Sequence, residues 1–419
     1  MSGVRGVTRG LGFLKIVVLA RVLSPLQFGI FGIASLVLSL LETLTETGIN
    51  IVLIQSKGEL SEYINSAWVV SIIRGIVITS LLIISSPFIA SFFHTPDAVG
   101  ILLFISLVPF VRGFINPAEV KFQKELKFHL QFWFQSGLLL IDALTTIMFV
   151  LVTHSVYSLV WGMLVSAVFE VILSLMFIKP SPRFAIDKGY FKEIFHKGSW
   201  VTAYTIFNYI AENADNAVVG RVMGATPLGF YQIAYKISIL PITEISDVIS
   251  SVVFPVYTKI VEEVERLRAA FLKTIITVFV CSLIIGIIIF LFPTEIVSIL
   301  LGSEWLSIIP VLKILLIYGV LRTIAGPASA LFLSLGKQNY VSAMVFVRFI
   351  VLIVAIYPLV HMFGLIGAGY AQLLAVTVEL PFLFYFSYIL LKKKRQVTLG
   401  QDTYLITEDM VKGSDISPK

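Results

Sequence analysis

The chain has 419 residues, 58% hydrophobic and 13% charged, with a mean hydropathy of +0.96. Ordinary soluble domains carry about 25% charged residues, so too few polar side chains are present to coat a water-soluble surface, and a soluble protein is excluded. The net charge of +6 does not point to nucleic acid, because the basic residues fall between apolar blocks rather than along one face.

The apolar residues fall in blocks of about 20, the length that crosses ~30 Å of hydrocarbon at 1.5 Å per residue. Twelve spans are predicted in chain order, at 6–20, 28–53, 66–92, 98–116, 130–152, 157–178, 199–219, 229–256, 270–292, 307–333, 340–359 and 363–391. The first is short for a full crossing, and no cleavable signal peptide is evident ahead of the second. Pro241 and Pro255 interrupt the eighth span and Pro327 the tenth, where bends are expected. Trp133, Trp161, Trp200 and Trp305 fall near span ends, as interfacial anchors do. Cys281, the one cysteine, lies in an apolar stretch and is read as a packing residue. The five histidines form no i, i+4 pair, so neither a metal site nor a cofactor is expected. The longest polar connection is 179–197, and the polar tail after Arg395 reads as disordered.

Orientation follows from Lys and Arg, which collect in cytoplasmic loops. With Arg5 and Arg9 inside, alternate connections gather Lys57; Lys121, Lys124 and Lys127; and Lys179, Arg183, Lys188, Lys192 and Lys197. Lys259, Arg266, Arg268 and Lys273 follow, then Lys337 and the run Lys392 to Arg395. The opposite loops hold little that is basic except Arg21 and Arg221. A multi-pass protein of the plasma or inner membrane is expected, with both termini cytoplasmic.

An internal repeat is the most specific signal. At an offset of 200, residues 21–40 share six identities with 221–240: Arg, Val, Gly, Ile, Ala and Leu; composition bias alone gives about two. Val111-Arg112 and Pro117-Ala118 align with Leu321-Arg322 and Pro327-Ala328 at an offset of 210. Six spans per half is an even number, so both halves enter from one side and their pseudo-twofold axis is expected along the membrane normal. The expected layout is an all-α integral membrane protein of two six-helix bundles, 1–178 and 199–391. A basic cytoplasmic linker, 179–198, joins them and a tail, 392–419, follows.

At LARVLSPLQFGIFGIA (19–34), DNAVVGRVMGATPLGFYQIAYKI (215–237), FPVYTK (254–259) and LGSEWLSIIPVLKILLIYGVLR (301–322), the sequence resembles the polysaccharide-transporter branch of the multidrug/oligosaccharidyl-lipid/polysaccharide flippase superfamily. The likeness covers nearly the whole chain, although members usually carry more residues before the LARVL motif. It implies two helical bundles that flip polyprenyl pyrophosphate-linked oligosaccharide by alternating access, for polysaccharide biosynthesis. The implied partners are a lipid-linked saccharide and membrane lipids, with a polysaccharide polymerase or glycosyltransferases as further candidates and no nucleic acid.

Charges inside spans need a reason, because each costs a few kcal/mol at mid-membrane. Arg74, Arg112, Arg322, Arg348 and Lys236 are the candidate substrate-binding cations. Arginine's planar fork suits pyrophosphate and stays charged when partly desolvated. Asp215, Glu46, Glu170 and Glu379 are candidates for ion coupling or ion pairs, beside Glu42, Asp142, Glu212, Glu244 and Asp247. The same cations would serve equally as partners of these carboxylates, holding helices in register. Arg112 and Arg322 stand out as repeat mates, each five residues before a proline; capping a kinked helix is the alternative. Arg21 and Arg221, also repeat mates, are read as structural. A drug or metabolite cation antiporter of the same superfamily is the alternative function, favoured by a mainly acidic cavity. A membrane enzyme or scaffold is disfavoured by the lack of a soluble catalytic portion and of any Ser/His/Asp, metal or Gly-rich phosphate constellation.

Overall fold

The computed structural model describes the backbone at residues 2–46, 48–49, 53–54, 60–185 and 188–413, and side chains at 10–46, 48–49, 53–54, 63–185 and 205–392. Lys57 and the side chains of Arg5, Arg9, Lys188, Lys192, Lys197, Trp200, Lys393, Lys394 and Arg395 lie outside the described residues.

The elements in order are α1 (Ser2–Val22), α2 (Pro25–Leu44), α3 (Leu60–Phe92), α4 (Ala98–Ile105) and α5 (Leu107–Arg112). A 3₁₀ turn (Pro117–Val120) and a helical turn (Lys121–Lys124) lead to α6 (Phe128–Thr153) and α7 (Tyr157–Phe177). The second half holds α8 (Lys188–Met223), α9 (Ala225–Lys259), α10 (Val264–Leu291), α11 (Pro293–Leu300) and a 3₁₀ turn (Ser303–Ile308). It ends with α12 (Ile309–Arg322), α13 (Ala325–Ser334), α14 (Gln338–Phe363) and α15 (Leu365–Gly413). Each of the twelve expected segments carries helix. In hydrocarbon, backbone groups find partners only within the protein, and a helix supplies them locally.

Among the described residues, nine helices are long and apolar enough to cross a membrane. The pair Ala98–Arg112 and Pro117–Lys124, bent by 70°, makes a tenth if counted as one span. The other two segments are α1 and α8; α8 carries Glu212, Asp215 and Arg221 within its described side chains. Phe88, Val152, Phe177 and Val354 are each 70% exposed or more, a surface suited to lipid and not to water.

Packing divides the chain into two compact units, Met1–Ile233 with Thr294–Ile308, and Ala234–Pro293 with Ile309–Lys419. This partition by packing differs from the partition by sequence repeat. In the first unit, α2 starts with a capping box. Gln27 N donates to Ser24 Oγ at 3.4 Å, Ser24 N donates to Gln27 Oε1 at 2.9 Å, and Pro25 opens the helix. α3 packs backbone-to-backbone on α5, since a Cβ at Gly75 would stand 2.5 Å from Pro109 O. Thr79 Oγ1 donates at 2.8 Å to Ser106 O, a carbonyl at the α4–α5 break. Lys15 of α1 pairs with Asp142 of α6 at 2.6 Å.

In the second unit, Tyr257, Leu267, Phe271, Leu331, Phe332 and Leu383 form the heart of a buried cluster. Ser246 Oγ donates at 2.8 Å to Thr323 O at the α12–α13 break, as Thr79 does in the first unit. Small residues let helices close up where lipid offers no hydrophobic drive: Gly286 lies against Val320, and Gly369 against Ile314.

Several expectations need correction. α2 ends at Leu44, not near 53: Thr45 Oγ1 turns back to Leu41 O at 2.6 Å, and Gly48 takes a left-handed φ of 62°. α9 runs unbroken through Pro241 and Pro255, and the tenth span breaks at Thr323–Ile324, ahead of Pro327. Trp305 is no interfacial anchor; it is fully buried, packs on Phe28 and Phe230, and donates to Ala20 O at 2.8 Å. The tail is helical to Gly413, there being no proline and one glycine between Lys392 and Lys412. Arg21 donates to carbonyls at the end of α11, and Arg221 to Phe92 O at the end of α3.

Candidate functional site

The bend after α5 builds a cavity. Asn116 holds the bend: its Oδ1 accepts from Ala118 N at 3.0 Å, starting the 3₁₀ turn. Its Nδ2 donates to Ile178 O at 2.9 Å and Pro180 O at 3.2 Å, tying the bend to the end of α7. Trp68 Nε1 of α3 donates to Phe114 O at 3.0 Å, so another freed carbonyl is satisfied. The chain turns aside and leaves a space of about 500 Å³ among α2, α3, α5, α6 and α7. Glu42, Glu46, Arg74, Arg112, Glu119, Gln123, Gln131, Gln135 and Glu170 are its polar lining.

The close approach at Gly75 sets Arg74 and Arg112 in this cavity together. Their roles differ. Arg74 Nη2 donates to Glu42 O at 2.6 Å and Nε donates to Thr45 Oγ1 at 3.2 Å, so it caps the C-terminus of α2. Arg112 Nη1 stands 3.8 Å from Glu42 Oε1, beyond hydrogen-bond range, with its side chain 41% exposed. Among the described residues Arg112 donates no hydrogen bond, so its fork is open to a ligand. Glu170 lines the same cavity and is near enough for its charge to act on Arg112.

The structure thus brings Arg74, Arg112, Glu46 and Glu170 together, and leaves the other sequence candidates elsewhere. Arg322 closes α12 and faces Glu379 of α15 at 3.7 Å in the second unit. Glu379 is buried, and among the described residues its Oε2 has no hydrogen-bond partner. The two arrangements are repeat mates, since Arg112 and Arg322 differ by 210 residues and Glu170 and Glu379 by 209. Arg348 is buried in α14 and Lys236 is half-buried on α9. Asp215 is fully buried and accepts from Tyr231 OH at 2.7 Å and Asn216 N at 2.8 Å.

Sequence reasoning passed over Glu119 and the three glutamines. Glu119 lies in sequence just beyond the fourth predicted span, 98–116, after the Asn116-Pro117 turn. Lys15 was also missed, despite lying inside the first predicted span.

Helical segments bearing an internal repeat, with one span bent around a polar cavity, define a polytopic membrane bundle, and its fold is shared with solved flippases and multidrug transporters. The backbone is similar to a structure titled lipid II flippase MurJ, inward closed conformation, with a TM-score of 0.76 and 16% identity, covering 100% of this chain and 93% of that one. It is also similar to an inward-facing MATE family multidrug resistance transporter of the MOP superfamily, with a TM-score of 0.70 and 17% identity over 92% and 95% of the chains. The chain belongs to the polysaccharide biosynthesis protein family, which it matches over residues 18–310. The lipopolysaccharide biosynthesis protein WzxC of Escherichia coli K12 is 27% identical over 345 residues, 79% of this chain and 68% of that protein. The teichuronic acid biosynthesis protein TuaB of Bacillus subtilis 168 is 24% identical over 298 residues, 70% and 61% of the two.

Proposed function

We propose that the chain flips a lipid-linked oligosaccharide across the cell membrane for polysaccharide assembly, working by alternating access between its halves, 1–178 and 199–391. The observation that carries this reading is Arg112: an arginine with uncommitted donors, in a polar cavity of about 500 Å³ inside a membrane-embedded bundle. A cavity of that size lies within the range of small-molecule sites. A guanidinium there takes a pyrophosphate oxygen pair bidentately, while Gln123, Gln131, Gln135 and the carboxylates offer partners to sugar hydroxyls. The polyprenyl chain stays in the bilayer. Arg322, the repeat mate of Arg112, and Arg348 and Lys236 are further candidate cations for the substrate. Both termini are cytoplasmic by the distribution of Lys and Arg, and a polymerase or glycosyltransferases receive or supply the saccharide.

Flipping of a fluorescent pyrophosphate-linked oligosaccharide lipid in proteoliposomes tests the reading, with Arg112→Ala plus Arg322→Ala as the comparison. The expected result is transport by the parent and its loss in a folded double variant. Glu42, Glu46, Glu119 and Glu170 against two arginines give the same cavity an acidic surplus, which favours the second reading, a cation antiporter. Exchange of organic cations for protons or Na⁺, with no movement of the lipid, would establish that instead.

A further inference from the structure

The cavity beside the bend holds more negative than positive charge, since four glutamates and two arginines line it. The arginines are not shared evenly among the glutamates. Arg74 is engaged with Glu42 O and Thr45 Oγ1, and the charges of Glu42 and Glu46 both act on it. Arg112 stands between Glu42, 3.8 Å away, and Glu170. Among the described residues Glu119 makes no ion pair, so the surplus lies on the side of the cavity where Glu119 and Glu170 stand.

Local structure fixes that side. Glu119 sits in the 3₁₀ turn Pro117–Val120 that Asn116 caps, and Glu170 sits on α7. Asn116 N donates to Ser174 Oγ at 3.1 Å. Ser174 lies one helical turn beyond Glu170, so the bend is fastened to α7 with both carboxylates on the cavity wall. The two are near enough for the charge of Glu170 to act on Glu119. Glu119 Oε1 is buried and has no hydrogen-bond partner among the described residues. An ionised carboxylate accepts hydrogen bonds and donates none. This wall therefore suits a ligand rich in O–H or N–H donors, each bond being charge-assisted.

We infer that Glu119 and Glu170 select the saccharide: the sugar next to the pyrophosphate is non-acidic, its hydroxyl or amino groups donate to the two carboxylates, and a uronic acid there is repelled. This selectivity rests on the transport reading above, in which the pyrophosphate occupies Arg112. With Arg112 so occupied and Arg74 capping α2, a sugar carboxylate meets no open cation among the described lining residues. It meets two like charges instead, where screening is weaker than in water. Gln123, Gln131 and Gln135 offer amides that suit hydroxyls but carry no charge to offset it. Repulsion of this kind discriminates without any contact unique to the accepted sugar.

The test is titration, onto the full chain in lipid nanodiscs, of polyprenyl pyrophosphate-linked disaccharides that differ only in the first sugar: glucose, glucosamine or glucuronic acid. Glucose and glucuronic acid differ only in a hydroxymethyl group against a carboxylate. The glucuronate lipid should bind about tenfold more weakly than the glucose lipid, and the glucosamine lipid at least as tightly as the glucose lipid. Glu119→Gln with Glu170→Gln keeps the shape of both side chains and should restore most of the lost glucuronate affinity. Glu170→Gln alone should restore part of it, and serves if the double variant does not fold. Equal affinities in the parent, a reversed order, or a gap that survives in the folded glutamine variants overturns the selectivity and leaves the transport reading standing. If none of these lipids binds the folded parent, the transport reading falls and the selectivity falls with it.

Discussion

Replacing Arg112 with alanine removes, among the described residues, the one cavity cation that donates no hydrogen bond. Arg74 is engaged with Glu42 O and Thr45, so it cannot take over without uncapping α2. A charge-assisted contact is worth about 1.5–3 kcal/mol, and 1.4 kcal/mol is a factor of ten. Affinity for a pyrophosphate-linked head group should therefore fall about 10- to 100-fold. Arg112→Lys keeps the charge but loses the planar fork, and should fall by less. Stability should hardly move, because the Arg112–Glu42 pair is 3.8 Å apart with side chains 41% and 32% exposed, and such pairs contribute at most about 1 kcal/mol. The assay is titration of labelled pyrophosphate-linked saccharide onto protein in nanodiscs, with initial flipping rates in proteoliposomes and a melting curve as the folding control. Unchanged affinity and flipping in a folded Arg112→Ala protein would refute the placement of the head group in this cavity.

Arg74→Ala should act on stability first, lowering it by about 1–3 kcal/mol as α2 loses its cap; thermal unfolding in detergent measures this, and Arg74→Lys should restore part of it. Asn116→Ala strips partners from Ile178 O and Pro180 O at once, so a loss of about 1–3 kcal/mol is expected, together with a drop in saccharide binding as the bend relaxes. Glu379→Ala removes the carboxylate 3.7 Å from Arg322 and should lower the melting temperature; a double-mutant cycle with Arg322→Ala measures how strongly the two are coupled. Trp305→Ala should cost about 3–5 kcal/mol, whereas an interfacial anchor would cost far less.

Much of the fold was legible because hydrocarbon thickness dictates span length, and a duplicated chain repeats its landmarks. The Arg112–Arg322 correspondence came from that duplication, and the structure places both at the last residue of a helix. What stayed hidden depended on where helices stop. Thr45 and Gly48 end α2 inside a run apolar enough to continue, so Glu42 and Glu46 come to line a cavity instead of lying in mid-helix. Asn116 folds the fourth span back, and that return, not hydropathy, places Glu119 and Gln123 beside Arg112. Trp305 misled for a similar reason: its position near a span end was visible, but the aromatic pair Phe28 and Phe230 that encloses it comes from distant sequence.

Arg112 and Glu170 in the first half and Arg322 and Glu379 in the second hold corresponding positions of the repeat, with different surroundings. Losing one partner of a buried pair strands the other, at about 3–5 kcal/mol. Arg322 and Glu379 keep the closed form, with side chains 25% and 3% exposed. Arg112 and Glu170 sit where the 70° bend admits a cavity, and screening there relaxes the constraint. The side chains of Arg112 and Glu42 are 41% and 32% exposed, against 25% and 3% for Arg322 and Glu379. The bend at Asn116 is what sets Arg112 in a cavity, whereas Arg322 faces the buried Glu379.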